Sequence, residues 1–329
     1  MLCGHTVEIK QGIRLIGTHC VLKFCFWMSI NGIPRLSMFT IVLKSGETMN
    51  SIGIIGNGFV GNAVFQGMKE FFNICVYDND PLKSHNTFSE AGTCDIIFIC
   101  VPTPMDNNGN FDVSIIKSVI SKLSSDKILI IKSTITPEFA DYLVNFFPNY
   151  SLVFNPEFLT ERTAVHDFKN PSRIVLGSSS TDALIKVENM YRKVFSCRLL
   201  KIIKTDVKTA CFIKYFSNCF FASKVSLVNE FKQIADADGI DWTTALDGLL
   251  TSGWVNPMHT KVPGPDGDRG FGGKCFPKDL NAFIKYSENL NVDPKIMKSS
   301  WDKNLEIRSD LNWLQINGVI SKKGDKNES

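Results

Sequence analysis

Short apolar runs alternate with amphipathic segments of helical spacing along residues 50–204. Apolar runs of this kind are typical of parallel strands that helices cover on both faces. The pattern therefore predicts an α/β fold, a Rossmann-like doubly wound parallel sheet. The predicted strands are Ser51–Ile55, Asn73–Tyr77, Asp95–Val101, Lys127–Ile131, Leu152–Phe154 and Arg173–Leu176, and the predicted helices are Ala63–Glu70, Val113–Leu123, Pro137–Phe146 and Asp182–Phe195.

After residue 204 the pattern becomes helical. Asp206–Asp236 contains neither Gly nor Pro, and its apolar residues recur at helical spacing. A helix of about 30 residues runs about 45 Å, which is longer than one small core requires. We therefore expect a Rossmann domain over 49–204, then an all-α dimerisation and substrate domain over 205–312 around this helix, then a polar tail over 313–329. A homodimer would bury the surplus apolar surface.

The segment before Met49 does not fit this pattern. Val21–Ile30 is apolar, but Lys23 interrupts it, and the run is shorter than the roughly 20 residues that span a bilayer. Met49 stands directly before the first strand of the predicted Rossmann domain. We expect residues 1–48 to be a disordered extension or the product of a misassigned start.

A glycine motif follows the first strand of the Rossmann pattern. Gly56, Gly58 and Gly61 have the G-x-G-x-x-G spacing, with Phe59 and Val60 between them. Such glycines permit a tight turn and a close approach of a pyrophosphate to a helix N-terminus. Asp78 ends the second strand, close to where such a motif places a carboxylate that binds a ribose 2′-hydroxyl and would repel a 2′-phosphate. The motif predicts a dinucleotide site that takes NAD.

Polar residues stand where the later strands end. Thr103, Ser133, Thr134 and Glu157 each follow an apolar run. In doubly wound sheets the carboxyl ends of the strands line the ligand crevice. The alternative is that these residues are ordinary loop polar groups and helix caps.

Composition limits the function classes. The chain has 329 residues, 44% hydrophobic and 21% charged, with a net charge of +3, which is typical of a soluble globular protein without a nucleic-acid footprint. Its ten cysteines are scattered, without zinc spacing. This usage favours reduced thiols, a cytoplasmic protein and no metal site.

One cysteine stands in a distinctive setting, Gly270-Phe271-Gly272-Gly273-Lys274-Cys275-Phe276-Pro277-Lys278-Asp279. The proline places Cys275 on a loop just before a helix. A thiol beside a cationic group can be held as the nucleophilic thiolate. The alternative is a turn with an inert buried thiol. Lys214 and Asn218 share one face of the long predicted helix, either as site residues or as solvated edge residues.

The cysteine loop resembles that of the UDP-glucose/GDP-mannose dehydrogenase family. Segments 101–104 (Val-Pro-Thr-Pro), 132–134 (Lys-Ser-Thr), 155–161 (Asn-Pro-Glu-Phe-Leu-Thr-Glu) and 229–230 (Asn-Glu) also match, in the family's order, and the resemblance covers about residues 50 to 312. It implies NAD-dependent, four-electron oxidation of a nucleotide sugar's primary alcohol to a uronate. UDP-glucose is the first candidate substrate, with GDP-mannose and UDP-N-acetylsugars open.

The resemblance also implies roles for individual residues. Cys275 matches the nucleophile that forms a thiohemiacetal and then a thioester. Lys214 and Asn218 match the groups that stabilise the oxyanion. Glu157 matches the general base of thioester hydrolysis, and Asp279 matches a second carboxylate that handles water.

The remaining matches concern binding. The implied cofactor contacts are Gly56, Gly58, Phe59, Val60, Gly61, Asp78, Thr103, Thr134, Glu161 and Lys278. The implied substrate contacts are Phe158, Leu159, Lys214, Asn218, Phe271 and Gly272.

The chain departs from the family pattern in two places. Most members carry a third, nucleotide-binding domain, whereas this sequence ends at Ser329, shortly after Asn312. The family arginine before the cysteine loop is absent from Thr251–Asn256, and His259 and Arg269 are candidates to replace it at the substrate. Two alternative functions stay open, a non-catalytic NAD-binding remnant and a two-electron hydroxyacid dehydrogenase.

Overall fold

The computed structural model describes residues 9–16, 19–30, 33–44, 50–104, 112–196 and 200–316. The chain divides into two compact units, Met1–Asn50 and Ser51–Ser329. This division lies close to the expected boundary at residue 49.

The first unit contains three antiparallel strands in the order β1-β2-β3. They are β1 (Ile9–Ile16), β2 (His19–Ile30) and β3 (Ile33–Lys44). The strands differ from the disordered extension expected here, and the β-branched and aromatic residues of these stretches favour extended backbone. The expectation of a start at Met49 stays a prediction, and Met49 itself lies outside the described residues.

The second unit begins with a seven-stranded sheet in the order β10-β9-β8-β7-β6-β4-β5. Its strands are β4 (Ser51–Ile55), β5 (Asn73–Tyr77), β6 (Ile96–Ile99), β7 (Ile128–Ile131), β8 (Ser151–Phe154), β9 (Arg173–Gly177) and β10 (Lys201–Thr205). All four residues of β6 and all four of β7 are buried, as expected for strands covered on both faces. The Rossmann-like fold predicted from the sequence is confirmed.

One strand runs against the expectation of a wholly parallel sheet. Strands β4 to β8 are mutually parallel, but β9 pairs with β8 in the antiparallel direction and β10 runs parallel to β9. The segment 155–172, which connects β8 to β9, does not return across the sheet. It stays at the edge where β8 ends and forms one wall of the site described below.

Six helices accompany the sheet within the described part of the chain. They are α1 (Phe59–Met68), α2 (Phe88–Gly92), α3 (Ser114–Ile120), α4 (Pro137–Phe146), α5 (Ala164–Lys169) and α6 (Thr181–Val194). The sequence analysis missed α2, which begins with a capping box between Thr87 and Glu90.

The helical region follows β10. It contains α7 (Val207–Asp238), α8 (Trp242–Leu250), α9 (Phe276–Asn289) and α10 (Lys295–Ile307). The Asp206 carboxylate caps α7 by accepting from the Thr209 amide at 2.9 Å, and Gly239, with φ +66°, ends the helix. Tyr215 and Cys219 of α7 pack against Leu280 and Phe283 of α9 in a second core.

The expected boundary at residue 312 is displaced. Trp313 is buried and packs on Trp301 of α10, with ring centroids 5.5 Å apart, so it belongs to the core rather than to a polar tail. The rest of the expected tail, residues 317–329, lies outside the described residues. Among the helices that are described, none is both long enough and apolar enough to cross a membrane.

Candidate active site

The glycine turn after β4 has the geometry of a dinucleotide site. Gly56 has φ +96°, and a Cβ on Gly61 would collide with the Gly56 carbonyl oxygen, so neither position accepts a side chain. A Cβ on Gly58 would meet no atom within 4 Å, which leaves that backbone open to a ligand. Because this turn lies where the strand order reverses between β4 and β6, it opens into the crevice of the sheet.

Asp78 lies beside this turn. Its Oδ2 accepts from the Asn57 amide at 2.5 Å, and its Oδ1 accepts from the Asp80 amide at 2.8 Å. The carboxylate is therefore held next to the glycine motif, as its position at the end of β5 predicts. These residues fit NAD, with the pyrophosphate at the N-terminus of α1 and a ribose at Asp78.

Two threonines predicted at the cofactor site lie together. Thr103 follows β6 and Thr134 follows β7, and the Thr103 hydroxyl donates to the Thr134 carbonyl at 2.8 Å. Ser133 donates to the Val101 carbonyl at 2.6 Å. The polar ends of neighbouring parallel strands thus meet at one edge of the sheet. The Ser133 hydroxyl holds the loop after β6 in place there.

The predicted catalytic residues meet at this edge. Lys214 of α7 donates to Glu157 Oε1 at 2.9 Å, and Asn218, one turn further along, donates to Asp279 Oδ2 at 2.6 Å. All four side chains are buried, and Cys275 directly precedes α9, which carries Asp279. The long helix therefore brings a cation and an amide to two carboxylates and one thiol.

Charge keeps Lys214 protonated. Burial by itself would lower its pKa, but the neighbouring charges of Glu157, Cys275 and Asp279 outweigh burial, and the pKa is raised. An ammonium group held in a dry site is well suited to stabilise a developing oxyanion.

The Cys275 thiol differs from the expected thiolate. Burial raises its pKa to about 11, and the opposing effect of Lys214 is smaller. The free protein therefore carries a neutral thiol at pH 7, and a base must remove the proton as the sulfur attacks. The protonated state could not be predicted from the sequence, because the degree of burial depends on the tertiary structure.

A cavity of about 480 Å³ adjoins the cluster. Phe158, Leu159 and His259 line it together with Glu157, Lys214 and Asn218. Three of the expected substrate contacts, Arg269, Phe271 and Gly272, do not line this cavity. Phe271 and Gly272 pack against the region of Asn304 and Arg308, and Arg269 pairs with Asp236 at 2.9 Å, near the end of α7 that is remote from Lys214.

Three asparagines hold the cysteine loop. The Gly270 amide donates to Asn229 Oδ1 at 3.2 Å, the Phe271 amide to Asn304 Oδ1 at 2.7 Å and the Gly273 amide to Asn312 Oδ1 at 3.0 Å. The sequence analysis matched Asn229 to the family but gave it no role. The side chains fix the backbone that presents Cys275.

Two lysines of the loop region pair with acidic side chains. Lys278, expected at the cofactor phosphate, is buried, and its Nζ lies 2.5 Å from Asp279 Oδ1. Lys274 instead pairs with Glu161 at 2.8 Å, and its Nζ lies 5.8 Å from the centroid of the Phe59 ring at the start of α1. The cofactor roles of Lys278 and Glu161 stay predictions.

Lys132 is a further buried lysine, besides Lys214 and Lys278, and the sequence pattern did not predict it. Lys132 donates to Asn155 Oδ1 at 3.1 Å, and Tyr191 donates to the same oxygen at 2.5 Å. Burial lowers the pKa of Lys132 to about 8. Both Lys132 and Asn155 stand in segments that the family pattern had drawn attention to, and both line the cavity.

Comparison with known proteins places the chain in a family. Two sequence models match, the NAD binding domain of the UDP-glucose/GDP-mannose dehydrogenase family over residues 67–195 and its central domain over residues 208–306. A UDP-glucose 6-dehydrogenase of Rickettsia conorii is 31% identical over 249 residues, which are 71% of this chain and 54% of the relative. One of Bacillus subtilis is 30% identical over 249 residues, 72% of this chain and 52% of the relative.

A solved structure agrees with the fold. The UDP-glucose dehydrogenase of Pyrobaculum islandicum superposes with a TM-score of 0.70 at 24% identity, over 80% of this chain and 70% of that one. The chain spans about half the length of the curated relatives it matches. With its NAD-binding and central domains in the family's order, the chain belongs to the UDP-glucose/GDP-mannose dehydrogenase family.

Proposed function

We propose that this protein oxidises the primary alcohol of a nucleotide sugar to the carboxylate, with UDP-glucose as substrate and UDP-glucuronate as product. The observation that carries the proposal is the buried cluster of Lys214, Glu157, Asn218 and Asp279 beside Cys275. It lies at the carboxyl edge of an NAD-binding sheet and opens into a cavity of about 480 Å³. The two curated relatives described above support the choice of UDP-glucose.

The first oxidation converts the alcohol to an aldehyde. NAD held by the glycine turn after β4 and by Asp78 would supply the hydride acceptor, and the hydroxyl proton must leave to a base. Glu157 and Asp279 are the carboxylates of the cluster, so one of them receives that proton. Lys214 and Asn218 stabilise the negative charge that develops on the oxygen.

The second oxidation uses the thiol. Cys275 Sγ bonds to the aldehyde carbon while its proton passes, through a carboxylate of the cluster, to the aldehyde oxygen, which becomes the hydroxyl of a thiohemiacetal. A second NAD at the same turn would supply the acceptor for the hydride of the thiohemiacetal carbon, and loss of the hydroxyl proton to a carboxylate of the cluster leaves a thioester. Glu157 then activates the water that adds to the thioester carbonyl, and cleavage of the C–S bond releases the acid and restores the thiol.

The reducing cytoplasm expected from the cysteine usage would keep this thiol free. All six cysteines in the part of the structure with described side chains are free thiols. The compartment stays a prediction.

Stoichiometry tests the proposal. We expect two NADH for each sugar nucleotide consumed, because the aldehyde stays in the site until Cys275 captures it. The measurement is NADH absorbance against product quantified by chromatography, with UDP-glucose, GDP-mannose and UDP-N-acetylhexosamines as substrates. A ratio of one would favour a two-electron dehydrogenase, and NAD binding without turnover of any of them would favour a non-catalytic remnant.

We also propose that the protein is a homodimer formed through α7. The exposed apolar side chains of this helix are Phe212, Phe216, Phe220, Leu227, Phe231 and Ile234. At 100° per residue they fall within about 100° of one face, over a helix of 32 residues. A second copy is the occupant, because a two-fold axis across the helix buries the same apolar stripe on both subunits.

A charge on this stripe tests the dimer. Phe216→Glu combined with Phe231→Glu is expected to give a monomer by light scattering at micromolar concentration, because each dimer would bury four carboxylates in an apolar interface. Ile185→Glu is the matched control, since Ile185 is an exposed apolar residue on α6. A wild-type protein that is already monomeric and active at that concentration would show the proposal to be wrong.

A further inference from the structure

His259 lies on the loop between α8 and the cysteine loop in an unusual backbone conformation. Its φ is +65°, a left-handed value that among the described non-glycine residues only Asn291 shares. Asparagine and histidine adopt this region more often than most non-glycine residues, and residues held in it are concentrated at functional sites. Lys224 of α7 fixes the loop, because its Nζ donates to the carbonyls of Asn256 and Met258 at 2.5 and 2.8 Å.

The ring of His259 is fixed as well. Its centroid lies 4.7 Å from that of Phe221 and 5.3 Å from that of Phe276, which directly follows Cys275. The same side chain lines the cavity that Glu157, Lys214 and Asn218 share. The imidazole of His259 is therefore held at the wall of the proposed sugar site by its left-handed loop, by the hydrogen bonds of Lys224 to that loop and by two aromatic rings.

The two ring nitrogens have different environments. Nδ1 is buried and has no hydrogen-bond partner among the described residues. Burial lowers the pKa of His259, and the charge of Lys224 lowers it further, so the ring is neutral at pH 7. A buried N–H without a partner costs more than a bare acceptor, which favours the proton on Nε2. Nε2 is then the donor left for a ligand.

We propose that His259 is a specificity-determining residue, whose Nε2–H donates to a ring hydroxyl of the hexose in this cavity, away from the carbon that is oxidised. The inference rests on the proposed function. A rigid donor discriminates between epimers, because an epimer turns its hydroxyl away and leaves the donor unpaired. The family arginine, which the sequence lacks before the cysteine loop, is not needed for this contact.

His259→Asn tests the proposal, because Asn accepts the left-handed backbone but its shorter side chain does not reach the same hydroxyl. We expect the KM for the sugar nucleotide to rise about 10- to 100-fold, with kcat and the KM for NAD changed less than about threefold. The preference for UDP-glucose over its C4 epimer UDP-galactose should fall by a similar factor. The thermal midpoint should stay close to that of the wild type, because Asn accepts the same left-handed backbone.

Asn291→Gly is the matched control, since it alters the other left-handed residue, which does not line the cavity. Calorimetric titration of UDP-glucose and UDP-galactose onto both variants measures the same contact without turnover. If the wild type binds but does not oxidise the sugar, the proposed function is wrong and the binding data still test His259. The inference would be overturned if His259→Asn kept the sugar affinity and the epimer preference of the wild type. It would also be overturned if the variant lost NAD affinity equally, or if the wild type bound neither sugar nucleotide.

Discussion

Cys275→Ser is expected to bind NAD with unchanged affinity and yet to form acid at least on the order of 10³-fold more slowly than the wild type. A serine hydroxyl is a far weaker nucleophile than a thiol at neutral pH, so the capture of the aldehyde, and with it the second oxidation, should stall. Cys275→Ala removes the covalent step altogether. Calorimetry for NAD, and mass spectrometry of the acid and the aldehyde, measure the two effects separately.

Cys94→Ala is the matched control. Cys94 is a buried thiol in the core of the sheet, and burial raises its pKa to about 12. Its loss should lower stability modestly and leave the turnover of the folded fraction unchanged. A Cys275→Ala protein with the wild-type rate of acid formation would exclude the covalent mechanism and favour the two-electron alternative.

Lys214→Met is expected to lower the free energy of unfolding by about 3 kcal/mol, because Glu157 would stay buried without its cation. It should also slow turnover on the order of 10²- to 10³-fold through loss of the oxyanion contact. The measurements are denaturant unfolding and initial rates. Adding Glu157→Gln should restore much of the stability but none of the rate, and a double variant that recovered activity would contradict the assigned roles.

Lys132→Met is the informative comparison, because this buried lysine has a neutral partner, Asn155. Its folded pKa is lowered from 10.5 to about 8, so the unfolded chain binds more protons between those values and stability rises with pH across that window. Replacement by Met should therefore stabilise the protein by about 3 kcal/mol at pH 7. The gain should shrink above pH 8 and vanish above pH 10.5. A loss of stability at pH 7 would contradict this assignment.

Local patterns allowed much of the fold to be predicted. The apolar runs predicted the strands β4 to β9, and the glycine spacing with Asp78 predicted the dinucleotide turn, because both depend on residues close together in the chain. The direction of β9 could not be predicted, since it depends on whether segment 155–172 crosses the sheet. The burial of Trp313 depends in the same way on a partner, Trp301, in another element.

The site shows the same division. Motifs in the sequence named Cys275, Lys214, Asn218, Glu157 and Asp279, but residue types carry no distances. Only packing of α7 against the sheet edge and α9 forms the Lys214–Glu157 and Asn218–Asp279 pairs. Arg269 is the opposite case. It stands close to the cysteine motif in the sequence and was a candidate substrate contact, but it pairs with Asp236 near the far end of α7.

The sequence by itself determined the sheet, the long helix, the nucleotide turn and the residue types available for chemistry, because periodicity, glycine spacing and apolar content act locally. The tertiary structure decided which charges are neutralised, that the Cys275 thiol is protonated, and that Lys274 pairs with Glu161 and Lys278 with Asp279. The physical reason is that desolvation and Coulomb energies depend on burial and on distances between groups far apart in the chain. These quantities exist only once the chain has folded.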